Sequence, residues 1–269
     1  GNGQSYEGPG IRIFQGLQPD IVAIQEFRSN SNSDSNSLRT LVNTAFGSNF
    51  NFYVEPSGNI PNGIVSRYPI LAAGSWDDTF VSDRGFAWAL VDLPGTNDLY
   101  VVSVHLYGSG SASDRGAEAA AIKSHVQSDF PPNAWVVVGG DMNTSSRSEP
   151  AIDTFTTFLS DSPIPTDLVS SGDPDTNASR NKPYDYVLPS FNLANYQTPV
   201  VLGAQTFSNG LVFVSQVYNN NYTLSAVAPV QSGDSHVSGM QHMAVVKDFL
   251  IPGGPVVTNA PDITTEPQS

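Results

Sequence analysis

Short apolar runs that predict buried β-strands recur along this chain, and several end in residues capable of acid–base or metal chemistry. Gln25-Glu26, His105, Asp141-Met142-Asn143 and Asp185 each stand at one end of such a run, and Gln241-His242 precedes the last run. The ends of strands present their side chains at the rim of a sheet, so residues far apart in sequence can meet there. We therefore expect a fold that gathers these sites at one rim.

Helical patterns alternate with the predicted strands, which indicates an α/β architecture with a mixed sheet. The predicted helices cover about 11–17, 38–46, 111–129 and 151–159, and the third opens with a capping box from Ser111 to Asp114. The predicted strands are 21–24, 52–54, 63–66, 86–92, 100–105, 135–138, 184–188 and 243–249, and the alternation in 205–227 favours further sheet.

The charge balance of the chain argues against a basic surface that binds nucleic acid. The 269 residues include 25 acidic and 11 basic side chains, a net charge of −14, so a basic face that binds nucleic acid is not expected. A phosphate-bearing substrate would need local positive charge, such as a bound divalent cation. The chain has no Cys and no apolar run long enough for a transmembrane helix. Only 13% of residues are charged, with Ser, Asn, Thr and Gly in their place, a composition common in exported proteins.

The residue types at these sites suit phosphodiester hydrolysis. A carboxylate holds a hard cation such as Mg²⁺, a second carboxylate orients the attacking water, and histidines move protons and contact the phosphate oxygens. Each site alone also has an ordinary structural explanation. Asp141 with Asn143 can close a turn, Asp185 can be a strand-edge charge, and His105 can be a hydrogen-bonded rim histidine.

The order of the motifs is more specific than any one of them. They are residues 19–26 (PDIVAIQE), 62–70 (NGIVSRYPI), 102–106 (VSVHL), 137–143 (VVGGDMN) and 185–187 (DYV). In this order and spacing the chain resembles the endonuclease/exonuclease/phosphatase superfamily, which includes the deoxyribonuclease I-like enzymes. The resemblance covers residues 1 to about 250. It implies a four-layer α/β/β/α sandwich of two packed mixed β-sheets flanked by helices.

The resemblance also implies a role for each site residue. Glu26 would be the principal ligand of Mg²⁺, or of another divalent cation such as Mn²⁺ or Ca²⁺. Asp141 would orient or deprotonate the attacking water, with Asn143 helping to hold the water and the phosphate. His242 would act on the scissile phosphate as acid or base, and Asp185 would fix its tautomer.

Two further positions complete the set that the resemblance implies. His105 would be a second histidine that contacts the phosphate, and Asn62 would lie near the phosphate as a substrate-binding residue.

Two departures from the superfamily pattern bear on activity. Gln241 stands where an Asp usually precedes the last histidine, and a nearby Asp234-Ser235-His236 sequence could be mistaken for that motif. The Asn that assists the metal in the first strand has no counterpart at Asn2, so we expect that strand to lie upstream. We interpret residues 1–252 as the hydrolase-like domain and 253–269 as a linker toward a further immunoglobulin-like module.

These observations favour a metal-dependent phosphodiester hydrolase, an exported, extracellular or cell-surface nuclease acting on DNA or RNA. The same core also suits a phospholipase C or sphingomyelinase-like enzyme or a phosphatase. Exposed aromatic residues at a membrane-facing edge would favour the lipid substrate, and Phe207, Phe213 and Tyr218 are candidates unless they pack in the core. A binding or structural module that keeps the fold without catalysis is the alternative from another class, and Gln241 supports it.

Overall fold

The computed structural model describes residues 4–28, 34–56 and 58–253. Its α-helices are Glu7–Leu17 (α1), Ser35–Ala45 (α2), Ala112–Asp129 (α3), Pro150–Phe155 (α4), Phe191–Ala194 (α5) and Ser215–Asn221 (α6). The first eight strands are Ile21–Ile24 (β1), Asn51–Val54 (β2), Gly63–Ser66 (β3), Ile70–Asp77 (β4), Gly85–Val91 (β5), Leu99–His105 (β6), Trp135–Asp141 (β7) and Asp185–Pro189 (β8). The remaining strands are Gln197–Thr198 (β9), Val200–Leu202 (β10), Gln205–Phe207 (β11), Leu211–Phe213 (β12), Ala244–Val246 (β13) and Asp248–Phe249 (β14).

Two principal sheets form the framework. The smaller has the order β1-β3-β2 and the larger the order β4-β5-β6-β7-β8. In the larger sheet β6 and β7 are parallel, whereas the β4-β5, β5-β6 and β7-β8 pairs are antiparallel. The sheet is therefore mixed, and the carboxyl ends of β6 and β7 lie at the same edge.

The two sheets pack face to face with helices outside them. Ile64 of β3 packs with Ala87 and Val101 of the larger sheet in the core between the sheets. The opposite face of the larger sheet is covered by α3 and α4 through Ile122 and Phe155. The helices α3 and α4, the larger sheet and the smaller sheet are thus three of the four predicted layers.

The fourth layer is α2, which covers the outer face of the smaller sheet. Leu38 and Val42 of α2 are fully buried against Val65 of β3 and Phe27. Their spacing of four residues places both on one face of the helix. The helix begins at the N-cap Asp34, whose side chain accepts hydrogen bonds from the backbone N–H groups of Asn36 and Ser37.

Helix α3 confirms the predicted capping box. The Ser111 hydroxyl accepts from the Asp114 N–H, and the Asp114 carboxylate accepts from the Ser111 N–H. The helix then continues to Asp129, and Phe130 follows as its C-cap. The short-range chemistry of two residues was enough to locate this helix start.

Several segments differ from the sequence-based prediction. Strand β4 was not predicted, because Leu71 is exposed and a register irregularity between Ile70 and Ala72 disrupts the alternation of apolar residues. The segment 205–227 was predicted as sheet but is sheet only as far as Phe213. It then forms α6 and a short 3-10 helix, in which Tyr218 and Val227 pack into the core.

The predicted last strand, 243–249, is divided between two partners. β13 pairs with β12, whereas β14 pairs with β9. Helix α4 is also shorter than predicted and ends at Phe155. Among the described residues, no helix combines the length and apolar character needed to cross a bilayer. Residues 1–3 and 254–269 lie outside the described residues. The predicted linker toward a further module stays a prediction, as does the first strand expected upstream of residue 1.

Candidate active site

Three of the predicted site residues are direct neighbours across the larger sheet. His105 is the register partner of Asp141 across the parallel β6-β7 pair, and Asp141 is the partner of Asp185 across the antiparallel β7-β8 pair. The mixed topology makes this possible, because two strands end and the third begins at this edge. The His105 Nε2 atom is 3.4 Å from Asp141 Oδ2.

His242 comes to the same edge from the end of the chain. Its backbone forms an isolated antiparallel bridge with Asn177, and the N–H of the following Met243 donates to the Thr176 carbonyl. The His242 Nδ1 atom is 3.0 Å from Asp185 Oδ2, and its Nε2 atom is 3.6 Å from Asp141 Oδ2. Asp185 thus fixes the orientation of the ring and leaves Nε2 directed toward Asp141.

The turn after β7 holds Asp141 and Asn143 together. The Asn143 N–H donates to Asp141 Oδ1 at 2.8 Å, and Asn143 Nδ2 donates to Asp141 Oδ2 at 3.1 Å and to the Leu106 carbonyl at 3.0 Å. The ordinary explanation of these residues as a turn is therefore correct as well, since the turn itself orients the carboxylate.

Gly140 is required at the start of this turn. Its φ is +137°, and a Cβ placed there would lie 2.1 Å from the Val104 carbonyl and 2.5 Å from Gln25 Nε2. A larger residue would push β7 away from β6 and from the Gln25 side chain. The close approach of β7 to β6 and to Gln25 therefore depends on the absence of a side chain at Gly140.

Glu26 lies beside the cluster without belonging to its tightest part. Gln25 Nε2 donates to the Ser103 hydroxyl, which donates to the Ile24 carbonyl, so the end of β1 is tied to β6. Glu26 itself has a positive φ of 51° and an exposed side chain. Its charge nevertheless helps to raise the pKa of His242, so its carboxylate lies within electrostatic range of that imidazole.

Asn62 is buried and is held by Gly85 and Glu55. Its side chain is 0% exposed, and Nδ2 donates to the Gly85 carbonyl at 2.6 Å. Its backbone N–H donates to the buried Glu55, which also accepts from the Gly85 N–H. Asn62 Oδ1 is a buried acceptor with no donor among the described residues. Contact between Asn62 and a substrate stays a prediction.

Sequence reasoning missed the buried ionisable residues that support the His105 loop. Arg84 Nε donates to the His105 carbonyl at 2.7 Å, and Nη2 donates to the Leu106 carbonyl at 3.2 Å. Both Glu118 oxygens accept from the Tyr107 N–H at 3.0 Å. One signal could have revealed Glu118, because it adjoins Ala119 on the apolar stripe of α3 that leads to the core.

The two histidines have opposite electrostatic surroundings. Burial and the nearby charges of Arg84 and His242 lower the pKa of His105 to about 3, so this imidazole is neutral. Burial acts against the charged form of His242 too, but the carboxylates of Asp185, Asp141 and Glu26 outweigh it and raise the pKa to about 9. His242 is therefore a cation at neutral pH in the metal-free protein.

Asp141 is the most buried carboxylate of the cluster. Burial and the neighbouring Asp185 charge raise its pKa to about 7, against the opposing effect of His242. A carboxylate whose pKa is near neutrality accepts a proton readily, which suits a general base.

The donor atoms of the cluster fit a divalent cation. The described residues contain one group of three potential ligands, Asp141, Asp185 and His242, whose ligand atoms all lie within 4.8 Å of one another. The two carboxylates are oxygen donors of the kind that Mg²⁺ or Mn²⁺ prefers, and the exposed Glu26 carboxylate adds a further one. His242, a cation at neutral pH, would have to lose its proton before it could bind a metal ion. Glu26 was predicted as the principal ligand, and that assignment stays a prediction.

Residues 11–210 match the model of the Endonuclease/Exonuclease/phosphatase family. No match was found among curated proteins.

Several solved structures share the fold. A family protein from Leptotrichia buccalis has a TM-score of 0.57 at 16% identity, covering 91% of this chain and 93% of that chain. A family protein from Beutenbergia cavernae has a TM-score of 0.54 at 16% identity, covering 91% and 66%. A third from Bacteroides vulgatus has a TM-score of 0.51 at 17% identity, covering 69% and 79%. At these identities the likeness shows the fold alone.

Proposed function

The chain belongs to the endonuclease/exonuclease/phosphatase family, and we propose that it is an exported, Mg²⁺-dependent phosphodiesterase that cleaves DNA or RNA. Members of this family are hydrolases that depend on a divalent metal. The choice of Mg²⁺, the nucleic-acid substrate and the extracellular location are parts of the proposal.

One observation carries the proposal. Asp185, His242 and Asp141 form a continuous chain of contacts, with distances of 3.0 Å and 3.6 Å from the two ring nitrogens to the two carboxylates. Such an arrangement has a general acid or base whose second nitrogen is held by a carboxylate, as in other hydrolases. Solvated strand ends would not require three buried or half-buried titratable groups to converge.

The charge state of each residue suggests its part in the reaction. The cationic His242 is suited to bind a phosphate oxygen and to donate a proton as charge builds up there. Asp141 is suited to accept a proton from the attacking water, and Asn143 holds Asp141 in place. His105 is neutral and can donate one hydrogen bond to the phosphate. A bound Mg²⁺ would supply Lewis acidity and neutralise the substrate's negative charge.

The surroundings of His242 favour a nucleotide over a lipid. The Tyr184 ring lies 5.8 Å from the His242 ring, and Lys182 Nζ lies 5.9 Å from the centre of the Tyr184 ring. An aromatic side chain and a cation at the edge of a site suit a base and an adjoining phosphate. The aromatic candidates for a membrane-facing edge, Phe207, Phe213 and Tyr218, are instead at most 2% exposed and belong to the core.

Gln241 does not disturb the cluster, which weakens the non-catalytic alternative. Its side chain is exposed, and its backbone carbonyl accepts from the Ala178 N–H at 2.9 Å. The neutral residue therefore stands next to His242 without displacing it from Asp185 and Asp141.

A panel of substrates tests this proposal. The full chain is assayed on plasmid DNA, RNA, sphingomyelin vesicles and p-nitrophenyl phosphate with Mg²⁺, Mn²⁺ or Ca²⁺, each with and without excess EDTA. We expect cleavage of nucleic acid with Mg²⁺ that EDTA abolishes. Faster hydrolysis of the sphingomyelin vesicles than of DNA and RNA would identify the protein as a lipid phosphodiesterase. Cleavage that resists EDTA would contradict the proposed metal dependence.

A further inference from the structure

Two loops carry the side chains that would act on the phosphate, and one buried ion pair joins them. The first loop follows β6 and His105 and reaches Gly110, and the second follows β7 and runs from Met142 to Glu149. From this geometry we propose that Arg115 and Glu149 are positioning residues, whose ion pair sets the orientation of Asn143 and Asp141. This inference rests on the proposed function.

Arg115, in the first turns of α3, connects to both loops. Its Nη2 and Nε atoms lie 2.7 Å and 2.9 Å from Glu149 Oε2. Its Nη1 atom donates to the Gly110 carbonyl at 2.9 Å and the Tyr107 carbonyl at 3.4 Å. A planar guanidinium can make all of these contacts at once, whereas a lysine ammonium cannot reproduce the fork.

Glu149 completes the connection to the second loop. Its Oε1 atom accepts from the Ser145 N–H at 2.6 Å, while Oε2 receives Arg115. The Arg115 and Glu149 side chains are only 7% and 8% exposed, so solvent does not substitute for these contacts. Two residues beyond Asn143, the backbone is thus fixed relative to α3.

The two loops also touch at Asn143 itself. Asn143 Nδ2 donates to the Leu106 carbonyl of the first loop and to Asp141 Oδ2. Gly108 approaches so closely that a Cβ there would be 3.0 Å from Asn143 Oδ1. A shift of the first loop therefore moves the Asn143 amide and, through it, the Asp141 carboxylate.

The test replaces Arg115 by lysine, which keeps the charge and loses the fork. With bis(p-nitrophenyl) phosphate as substrate, we expect Arg115→Lys to lower kcat by ~10-fold or more, as expected for misplaced catalytic groups, with KM changed by less than ~3-fold. Arg12→Lys is the control, because Arg12 pairs with the buried Asp234 in a contact that involves neither loop. This control should retain the wild-type kcat.

A double-mutant cycle separates positioning from a general loss of structure. In an Asn143→Ala background, Arg115→Lys should change kcat by less than ~2-fold, because the residue through which Arg115 acts is already gone. An unchanged kcat in the single variant, or the full loss repeated in the Asn143→Ala background, would overturn the inference.

A spectroscopic measurement keeps the inference testable if the chain does not hydrolyse the ester. The side-chain NH₂ signals of Asn143 in ¹⁵N NMR should shift in Arg115→Lys and stay in place in Arg12→Lys. Inactivity of the wild-type protein would contradict the proposed function, whereas Asn143 signals that do not respond to Arg115→Lys would contradict the positioning role. If Arg115→Lys fails to fold, the isosteric Glu149→Gln variant is measured in the same way.

Discussion

The contact between Asp185 and His242 gives the most quantitative prediction. Replacement of Asp185 by Asn keeps the size of the side chain and the backbone hydrogen bond from the Asp185 N–H to the Thr176 hydroxyl. It removes one negative charge 3.0 Å from His242 Nδ1. The substitution therefore isolates the electrostatic part of the contact.

The expected size follows from that distance. An opposite charge at 3.0 Å stabilises the imidazolium by ~1.4 kcal/mol when screened as in water, and by ~5.5 kcal/mol at an effective dielectric of ~20. Because 38% of the His242 side chain is exposed, solvent screening favours the lower end. A change of 1 in pKa corresponds to ~1.4 kcal/mol. The pKa of His242 should thus fall from about 9 by at least ~1.

The assay is an NMR titration of the imidazole signals in EDTA-treated protein. Asp141 and Glu26 remain in Asp185→Asn and still favour the cation, so the midpoint should fall without reaching the value of about 3 expected for His105. Hydrolysis with Mg²⁺ should fall by ~10²-fold or more, because the tautomer of His242 is no longer fixed. A midpoint that stays near 9 in the variant would refute the account of the His242 charge.

Three further predictions concern other parts of the structure. Gly140→Ala should lower the free energy of unfolding by about 2 kcal/mol or more, since its Cβ would meet the Val104 carbonyl. Gly10→Ala in α1 meets nothing within 4 Å and should be neutral or stabilising in the same urea titration. Burial and Asp78 raise the pKa of Glu118 to about 8. Between pH ~4.5 and 8 the folded protein therefore holds a proton on Glu118 that the unfolded chain releases. The free energy of unfolding should thus fall as the pH rises through this range. Glu118→Gln should make the loss of stability between pH 5 and pH 8 smaller when urea unfolding is compared at the two pH values, while the raised pKa of Asp141 leaves part of the dependence in place. An equal pH dependence in both proteins would contradict the assignment. Lys182→Ala should weaken cleavage of DNA several-fold and reduce its salt dependence while leaving bis(p-nitrophenyl) phosphate turnover unchanged, and equal losses on both substrates would exclude a phosphate contact beyond the scissile one.

Much of the site could be predicted from the sequence because its residues stand at the ends of strongly apolar strands. The runs before His105 and Asp141 are β6 and β7, and their parallel pairing brings the two residues together. Family resemblance then placed Asp185 and His242 beside them, and the structure confirms that these four residues converge. Register across β6, β7 and β8 was not predictable from local patterns, because it is set by the packing of whole sheets.

The ionisable residues that support the site could not be predicted for a different reason. Arg84, Arg115 and Glu118 contact backbone atoms of residues that lie 21, 5 and 11 positions away in sequence, and no short motif indicates these partners. A charged residue on a helix or in a loop is ordinarily solvated, and only the tertiary structure shows that these are buried. The same limitation applies to 205–227, where the strands end at Phe213 and a helix follows in which Tyr218 packs against Tyr222.

The central claim is that Asp141 and His242 act in one metal-dependent hydrolytic centre. The most direct test compares the Mg²⁺-dependent hydrolysis rates of wild type, Asp141→Asn and His242→Ala with those of two exposed controls, Asp98→Asn and His236→Ala. We predict that both site variants lose ~10²-fold or more in rate and that both controls keep the wild-type rate. Site variants as active as the wild-type protein would contradict the claim.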